Sequence, residues 1–408
     1  MARAIAQSEG YGRIGIAEAI ILTSGVLFGP GMFLFPGDLV AGSQSGAWYA
    51  FTLDAVATVG ATWMWVVLAR RHPARRLPEL MGELLGAQTS RVLSLLVALL
   101  DIAVAAVSVT ALAQMVTAVF VPRTPLWAVE GAFLLTILYG VFKGIEVVAR
   151  TANFMLPAAW AAYIVVYLMA MQTAEQPWNL VPHMPPGGIG SIVSGAYLSL
   201  WAFAATTALP NILAHISESE WGRMGSGIVL AAVWDMVMRA LELALALATL
   251  GVAGILWYRW PTVSVLRVVH TQGFLVNRLG AGLLIILVML VGAYVATHLW
   301  NADANLVGML APVRDLRHRS RDLTRLGSSA RTGGEPAAFA VGLAALGCAF
   351  LLNADSEMHT FALVWLNPTV LALSYVLPAM LLGVSLLRKG QHTRAQAQAG
   401  GSRLPRTT

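Results

Sequence analysis

Ile14 to Val40 reads IGIAEAIILTSGVLFGPGMFLFPGDLV. The stretch is long and apolar enough to cross a bilayer, which takes roughly 20 helical residues. Its middle holds Gly29-Pro30-Gly31, and Pro36-Gly37 follows. Proline lacks the N–H that a helix interior needs, so the hydrogen-bond ladder is interrupted here. Lipid tolerates an interruption only where the freed backbone groups find other partners or line a cavity buried in protein. Secondary transporters use such discontinuous helices to bind solutes near the midplane. The stretch therefore predicts a multi-span membrane protein that binds a small solute.

Composition points the same way. The 408 residues are 58% hydrophobic and 11% charged, with a mean hydropathy of +0.71. Soluble proteins carry about a quarter charged residues, so this chain has too few to clothe a water-facing surface. The net charge of +6 comes from basic residues in short loops between spans and is no signal for nucleic acid. Cys348 is the only cysteine and lies in an apolar stretch. A disulfide framework or a cysteine metal site within one chain is thereby excluded, and no cofactor or metal is expected. Residues 1–13 are mostly polar, and the span after them is too long for a signal-peptide core and lacks a small-residue cleavage site. No cleavable signal peptide is expected.

Hydropathy predicts about ten spans, at 14–40, 46–69, 92–119, 125–142, 151–172, 190–215, 225–250, 278–305, 337–353 and 359–387. With both ends in the cytoplasm, the inner segments hold 21 of the 26 Lys and Arg residues, as the positive-inside rule requires. Residues 77–86 (LPELMGELLG) predict a short amphipathic helix in an inner loop. The outer loop 251–277 is too polar in its middle to span easily. The organisation expected is a cytoplasmic N-terminus over 1–13, one membrane domain over 14–387, and a disordered cytoplasmic tail over 388–408.

The sixth span, SIVSGAYLSLWAFAATTALPNILAHI from Ser191, has a small, polar centre at Ala204-Ala205-Thr206-Thr207 followed by Pro210. Irregular helices at positions one and six of a ten-span chain suggest two inverted repeats of five spans, about 14–172 and 190–387. Such a pairing points to a midplane site between the breaks. The alternative reading is that Gly and Pro are simply common in membrane helices at large; the pairing of the two breaks favours the site.

Several stretches resemble the endospore germination permeases, the B subunits of nutrient germinant receptors, within the amino acid–polyamine–organocation superfamily. Gly29-Pro30-Gly31-Met32-Phe33-Leu34-Phe35-Pro36 is similar to that family's G-x-G-I-L-F-L-P run. Thr124-Pro125-Leu126-Trp127 opens the fourth span as it does there. Lys143-Gly144-Ile145-Glu146-Val147-Val148-Ala149-Arg150 resembles the family's loop before span five, with Pro157 following. Asn179-Leu180-Val181-Pro182 and Trp260-Pro261-Thr262, then Leu266-Arg267, resemble its outer loops. The likeness covers roughly residues 10 to 310. Two departures stand out: Pro30 fills the middle of the G-x-G, and the sixth span lacks the acidic stretch many relatives carry. The resemblance implies an all-α, LeuT-like fold and nutrient sensing at the spore inner membrane, with receptor A and C subunits as partners.

In that arrangement a solute sits between the broken spans. The candidate substrate-binding residues are Thr23, Ser24, Gly29 and Gly31 on span one, and Tyr197, Ser199, Phe203, Thr206 and Thr207 on span six. Hydroxyls and bare backbone suit an amino acid head group, while Phe203 and Trp201 could bound an apolar side chain. Ser, Thr and Gly also simply permit close helix approach. Ionisable residues inside a membrane are costly and mark function. Asp101 sits near mid-depth of span three with no obvious local partner, which makes it a possible ion or proton site. Asp54 is similarly deep in span two. Asp235, Arg239 and Glu242 share one face at i, i+4, i+7, so Arg239 can pair with either acid in an internally neutralised structural cluster. His298 reads as an inner-boundary residue rather than a ligand. No phosphate loop, H-E-x-x-H or G-x-S-x-G is present, so enzyme activity is not expected. Three functions remain open: a germinant-receptor subunit signalling to partners, a free-standing ion-coupled amino acid transporter, and a membrane scaffold with a vestigial site.

Overall fold

The computed structural model describes residues 14–29, 31–172, 174–216, 220–268, 279–310, 340–349 and 362–388. The sequence expectations for the N-terminus, the Arg-rich stretch 311–339 and the tail from 389 lie outside these residues.

Helices account for the described chain almost entirely. Helix α1 (Ile16–Phe28) and α2 (Gly31–Ser43) divide the first apolar stretch at the glycine-proline break. Next come α3 (Ala47–Arg71), α4 (Leu77–Leu85), α5 (Ala87–Val119), α6 (Leu126–Phe142) and α7 (Ile145–Met171). The sixth stretch is α8 (Gly188–Ser199), a 3₁₀ segment (Leu200–Ala208) and α9 (Leu209–Leu213). It is followed by α10 (Trp221–Trp257), α11 (Pro261–Val268) and α12 (Leu279–Leu310), then α13 (Ala340–Ala349) and α14 (Val364–Arg388). Five described helices, or six with the bent sixth stretch, are long and apolar enough to cross a membrane.

Apolar residues occupy both the interior and the perimeter, as lipid allows. Leu135 on α6 and Phe154 and Leu168 on α7 are among the large apolar side chains left exposed. Five acids inside the predicted spans face the other way: Asp54, Asp101, Glu130, Asp235 and Glu242 are buried. Helix α4 behaves differently. Leu77, Leu80, Met81 and Leu84 are buried along it at i, i+3, i+4 and i+7, the stripe of a surface helix, and it packs on α5. Asn211 Oδ1 accepts from the Leu77 N–H at 2.8 Å, and the Glu79 carboxylate from the Arg76 N–H at 3.2 Å. Burial raises the Glu79 carboxyl above its ordinary range, against the opposing pull of Arg76.

The broken stretches form the middle of the molecule. Helix α1 lies against α10 and α7, and α2 against α8. The α2–α8 crossing is backbone on backbone. A Cβ on Gly42 would strike the Gly195 main chain, and one on Gly195 would lie 2.6 Å from the Leu39 carbonyl. Small residues at a membrane helix interface allow this approach. The start of α1 is tied to the segment that joins the sixth stretch to α10: the Ile14 N–H donates to the His215 carbonyl at 3.0 Å, and the Ile16 N–H to Glu220, just before α10, at 2.9 Å. A carboxylate there satisfies an orphan N–H and complements the helix dipole.

Candidate functional site

The site begins where two helices fail to continue. At Gly29 the backbone takes φ 22° and ψ −168°, a conformation that L side chains rarely adopt. Its missing Cβ also leaves room for the Tyr294 ring of α12, which any side chain would strike. On the sixth stretch Phe203 leaves helical geometry at φ −108° and ψ 16°. The helix axes on either side of Phe203 to Thr206 differ by 44°.

Between these two discontinuities lies the guanidinium of Arg239, wholly buried on α10. Its Nη2 donates to the carbonyls of Leu27 at 2.5 Å and Phe28 at 3.2 Å, the last two residues of α1. It also donates to the carbonyl of Ala202, just before Phe203, at 3.0 Å. Its Nε lies 3.2 Å from Asp235 Oδ2. The rings of Phe203, Phe35 and Phe28 stand 4.4, 5.5 and 5.9 Å from the guanidinium carbon, close enough for cation–π attraction. Glu242 is not the partner its spacing allowed: its Oε1 accepts from Thr262 of α11 at 2.5 Å. The expected cluster of one base and two acids is therefore one ion pair, Arg239 with Asp235, and a separate acid. The Nη2 donors of the arginine close the backbone of two broken helices, while its buried Nη1 meets no acceptor among the described residues.

Asp101 has partners that no local reading offered. His298 Nδ1 lies 2.6 Å from Asp101 Oδ1, and Asn301 donates to Asp101 Oδ2 at 2.7 Å. His298 is fully buried against Asp101, a partner that its expected place at the inner boundary did not include. Its ring centroid lies 4.4 Å from that of Tyr294, the residue at the Gly29 break, with the ring planes tilted by 55°. The polar chain continues from Asn301 to Asn211 at 2.6 Å. From there the Asn211 carbonyl meets His215 Nδ1 at 2.7 Å, and His215 Nε2 lies 3.2 Å from Arg76. A connected set of polar groups, passing through the Asn211 backbone carbonyl, thus runs from the loop before α4 to His298, whose ring lies against Tyr294 at the first break.

The predicted site residues fall into three groups. Ser199, Phe203, Thr206 and Thr207 are buried in the sixth stretch. Ser199 donates to Asp54 at 2.7 Å, Thr206 donates to the Ser374 carbonyl at 2.9 Å, and Thr207 lies near Asp101. Gly29, Gly31 and Thr23 lie at or near the first break, Gly31 opening α2 and Thr23 buried within α1. Ser24 and Tyr197 stand apart. Ser24 donates back to the Ile21 carbonyl of its own helix at 2.8 Å, and Tyr197 is 37% exposed on α8. Sequence reading missed Asp38, which accepts from the Trp201 indole at 2.8 Å, and Asn367, whose Oδ1 accepts from the Trp201 N–H at 2.8 Å. The only local signal for Asn367 is Pro368 beside it. It lies between two π-type turns of α14, a helical irregularity frequent at functional sites.

A family model described as "Spore germination protein" matches residues 13–307. The chain is similar to spore germination protein YndE of Bacillus subtilis (strain 168), 21% identical over 278 residues, which are 68% of this chain and 76% of that protein. It is similar to spore germination protein KB of the same organism, 23% identical over 266 residues, 64% of this chain and 70% of that one. Spore germination protein A2 is 19% identical over 276 residues, 67% and 74% of the two chains. In three dimensions the chain resembles the crystal structure of MhsT in complex with L-phenylalanine. The TM-score is 0.57 at 12% identity, covering 90% of this chain and 97% of that one. That likeness is one of fold, and it agrees with the all-α, LeuT-like architecture expected from the sequence.

Proposed function

This chain belongs to the spore germination permease family, and we propose that it is the membrane subunit of a germinant receptor that binds a small nutrient, an amino acid first of all, and passes a conformational signal to A and C partner subunits. It is a multi-pass membrane protein, and the proposed seat is the spore inner membrane with both termini in the cytoplasm. The observation that carries the reading is the meeting of the two backbone breaks around Arg239, with hydroxyls of the sixth stretch beside them. The ligand is proposed to lie against Thr23, Gly29, Gly31, Phe203, Thr206 and Thr207. Freed N–H groups of the unwound backbone suit its carboxylate. A protein of similar fold was crystallised with L-phenylalanine, which makes amino acids the first ligands to try.

A receptor needs only a difference in affinity between two conformations. A 100-fold difference corresponds to about 2.7 kcal/mol, enough to tip a balanced switch. The buried Asp101–His298 pair supports a second reading, a free-standing amino acid transporter coupled to an ion gradient, because such pairs serve proton relays in transporters. The two separate in proteoliposomes. The receptor reading expects saturable amino acid binding by the purified protein with little uptake under an imposed proton or sodium gradient. It also expects germination to depend on co-expressed A and C subunits in a deletion background. Gradient-driven accumulation that disappears in Asp101→Asn would replace it with the transporter reading. Absence of binding to any amino acid would remove the ligand from both.

A further inference from the structure

Arg239 uses the oxygens that a bound cation would use. Three are backbone carbonyls at the discontinuities, those of Leu27, Phe28 and Ala202, and the fourth is Asp235 Oδ2. In transporters with discontinuous helices, unwound carbonyls of this kind coordinate the coupling cation. Here a side chain fills the position. A guanidinium keeps its charge at any physiological pH and, being covalently attached, cannot dissociate. It is also enclosed by the Phe28, Phe35 and Phe203 rings, one from each of the three helical pieces that border the breaks.

We infer that Arg239 is a tethered cation standing in for a soluble monovalent ion where the two broken spans meet. It holds the ends of α1 and the bend of the sixth stretch together permanently. The protein therefore assembles its centre without sodium, and nutrient binding carries no sodium requirement. The consequence for nutrient binding rests on the receptor reading above; the substitution of a side chain for an ion does not. An arginine that served only as a packed cross-link would look similar in outline, but small cations could not replace it.

The test needs no nutrient, so its failure and that of the receptor reading are separable. The purified full chain in detergent is unfolded thermally in sodium chloride and in choline chloride at equal ionic strength. The wild type is expected to have the same midpoint in both. Arg239→Ala removes the guanidinium but leaves three carbonyls and the Asp235 carboxylate as an oxygen cage. Its midpoint should lie low in choline and rise saturably with sodium or methylguanidinium. A ligand at 100 times its Kd shifts the folding equilibrium about 100-fold. Arg239→Lys, which keeps a tethered charge, should stay indifferent to the salt. Asp235→Asn combined with Arg239→Ala should lose the sodium response. Saturable stabilisation of the wild type by sodium over choline would overturn the inference. So would an Arg239→Ala protein with one midpoint in all three salts, or one that no cation returns to the folded state. Recovery of folded Arg239→Ala only when sodium or methylguanidinium is present would support it.

Discussion

Replacing Asp101 should expose how much the buried polar chain contributes. With its carboxylate ionised, Asp101 accepts from His298 Nδ1 at 2.6 Å and from the Asn301 amide at 2.7 Å, and all three residues are fully buried. Asp101→Ala leaves two donors without an acceptor where water does not reach. Each such donor costs about 1–3 kcal/mol, so the expected loss is about 2–6 kcal/mol. Asp101→Asn keeps the volume and one acceptor. It can serve Asn301 or His298 but not both, so its loss should be about 1–3 kcal/mol. The order wild type, Asn, Ala follows from counting acceptors. His298→Ala combined with Asp101→Ala should cost less than the two single losses together, by about 0.5–3 kcal/mol, because the pair is in contact. Intrinsic fluorescence during thermal unfolding in detergent is a suitable readout, since 13 tryptophans report on the chain. An Asp101→Ala protein within about 0.5 kcal/mol of the wild type, the range of ordinary surface changes, would refute the reasoning.

Other variants test the breaks and the loop helix. Thr206→Val removes the hydroxyl that donates to Ser374 at nearly constant volume, and Gly31→Val crowds the start of α2; both should shift the nutrient dose–response to higher concentration at normal protein level, and an unchanged curve in both would move the site elsewhere. Gly29→Ala forces a Cβ into the Tyr294 ring at a positive φ, for a loss of about 1–3 kcal/mol read as a lower unfolding midpoint; a midpoint equal to the wild type would mean the break is not held by that contact. Burial raises the Glu79 carboxyl, so its folded pKa lies above the unfolded one, and the wild type should gain stability as pH falls from neutral into the carboxylate range. Glu79→Gln should flatten that slope in a pH series of unfolding midpoints, and an unaltered slope would assign it to other groups.

Much of this architecture is written in local chemistry. Gly29-Pro30-Gly31 ends one helix and starts another within a few residues, whatever surrounds it, so the first break is legible from the chain alone. The same holds for α4, expected over 77–86 and observed over Leu77–Leu85, because its apolar stripe is a property of spacing. The sixth stretch was marked by its small, polar centre. The partners of these elements were not legible, because they lie far along the chain. Asp101 meets His298 across 197 positions, and Trp201 meets Asn367 across 166. Nothing near Asp101 or near His298 encodes the other.

Arg239 shows where a local rule reaches its limit. The i, i+4 spacing correctly pairs it with Asp235, and the rule then appears satisfied. But a guanidinium carries five N–H donors, and Asp235 takes only the one on Nε. Burial in a membrane protein leaves no water for the rest. Intact helices offer few free acceptors, since their carbonyls are already bonded to N–H groups four residues on. Free carbonyls occur at helix ends and breaks. An arginine deep in a span, with two broken spans elsewhere in the chain, therefore finds at the breaks acceptors that intact helices do not offer; here Nη2 takes them, while Nη1 and Asp235 Oδ1 stay without hydrogen-bond partners among the described residues. Counting donors, rather than pairing charges, is the step that leads from Arg239 to Leu27, Phe28 and Ala202.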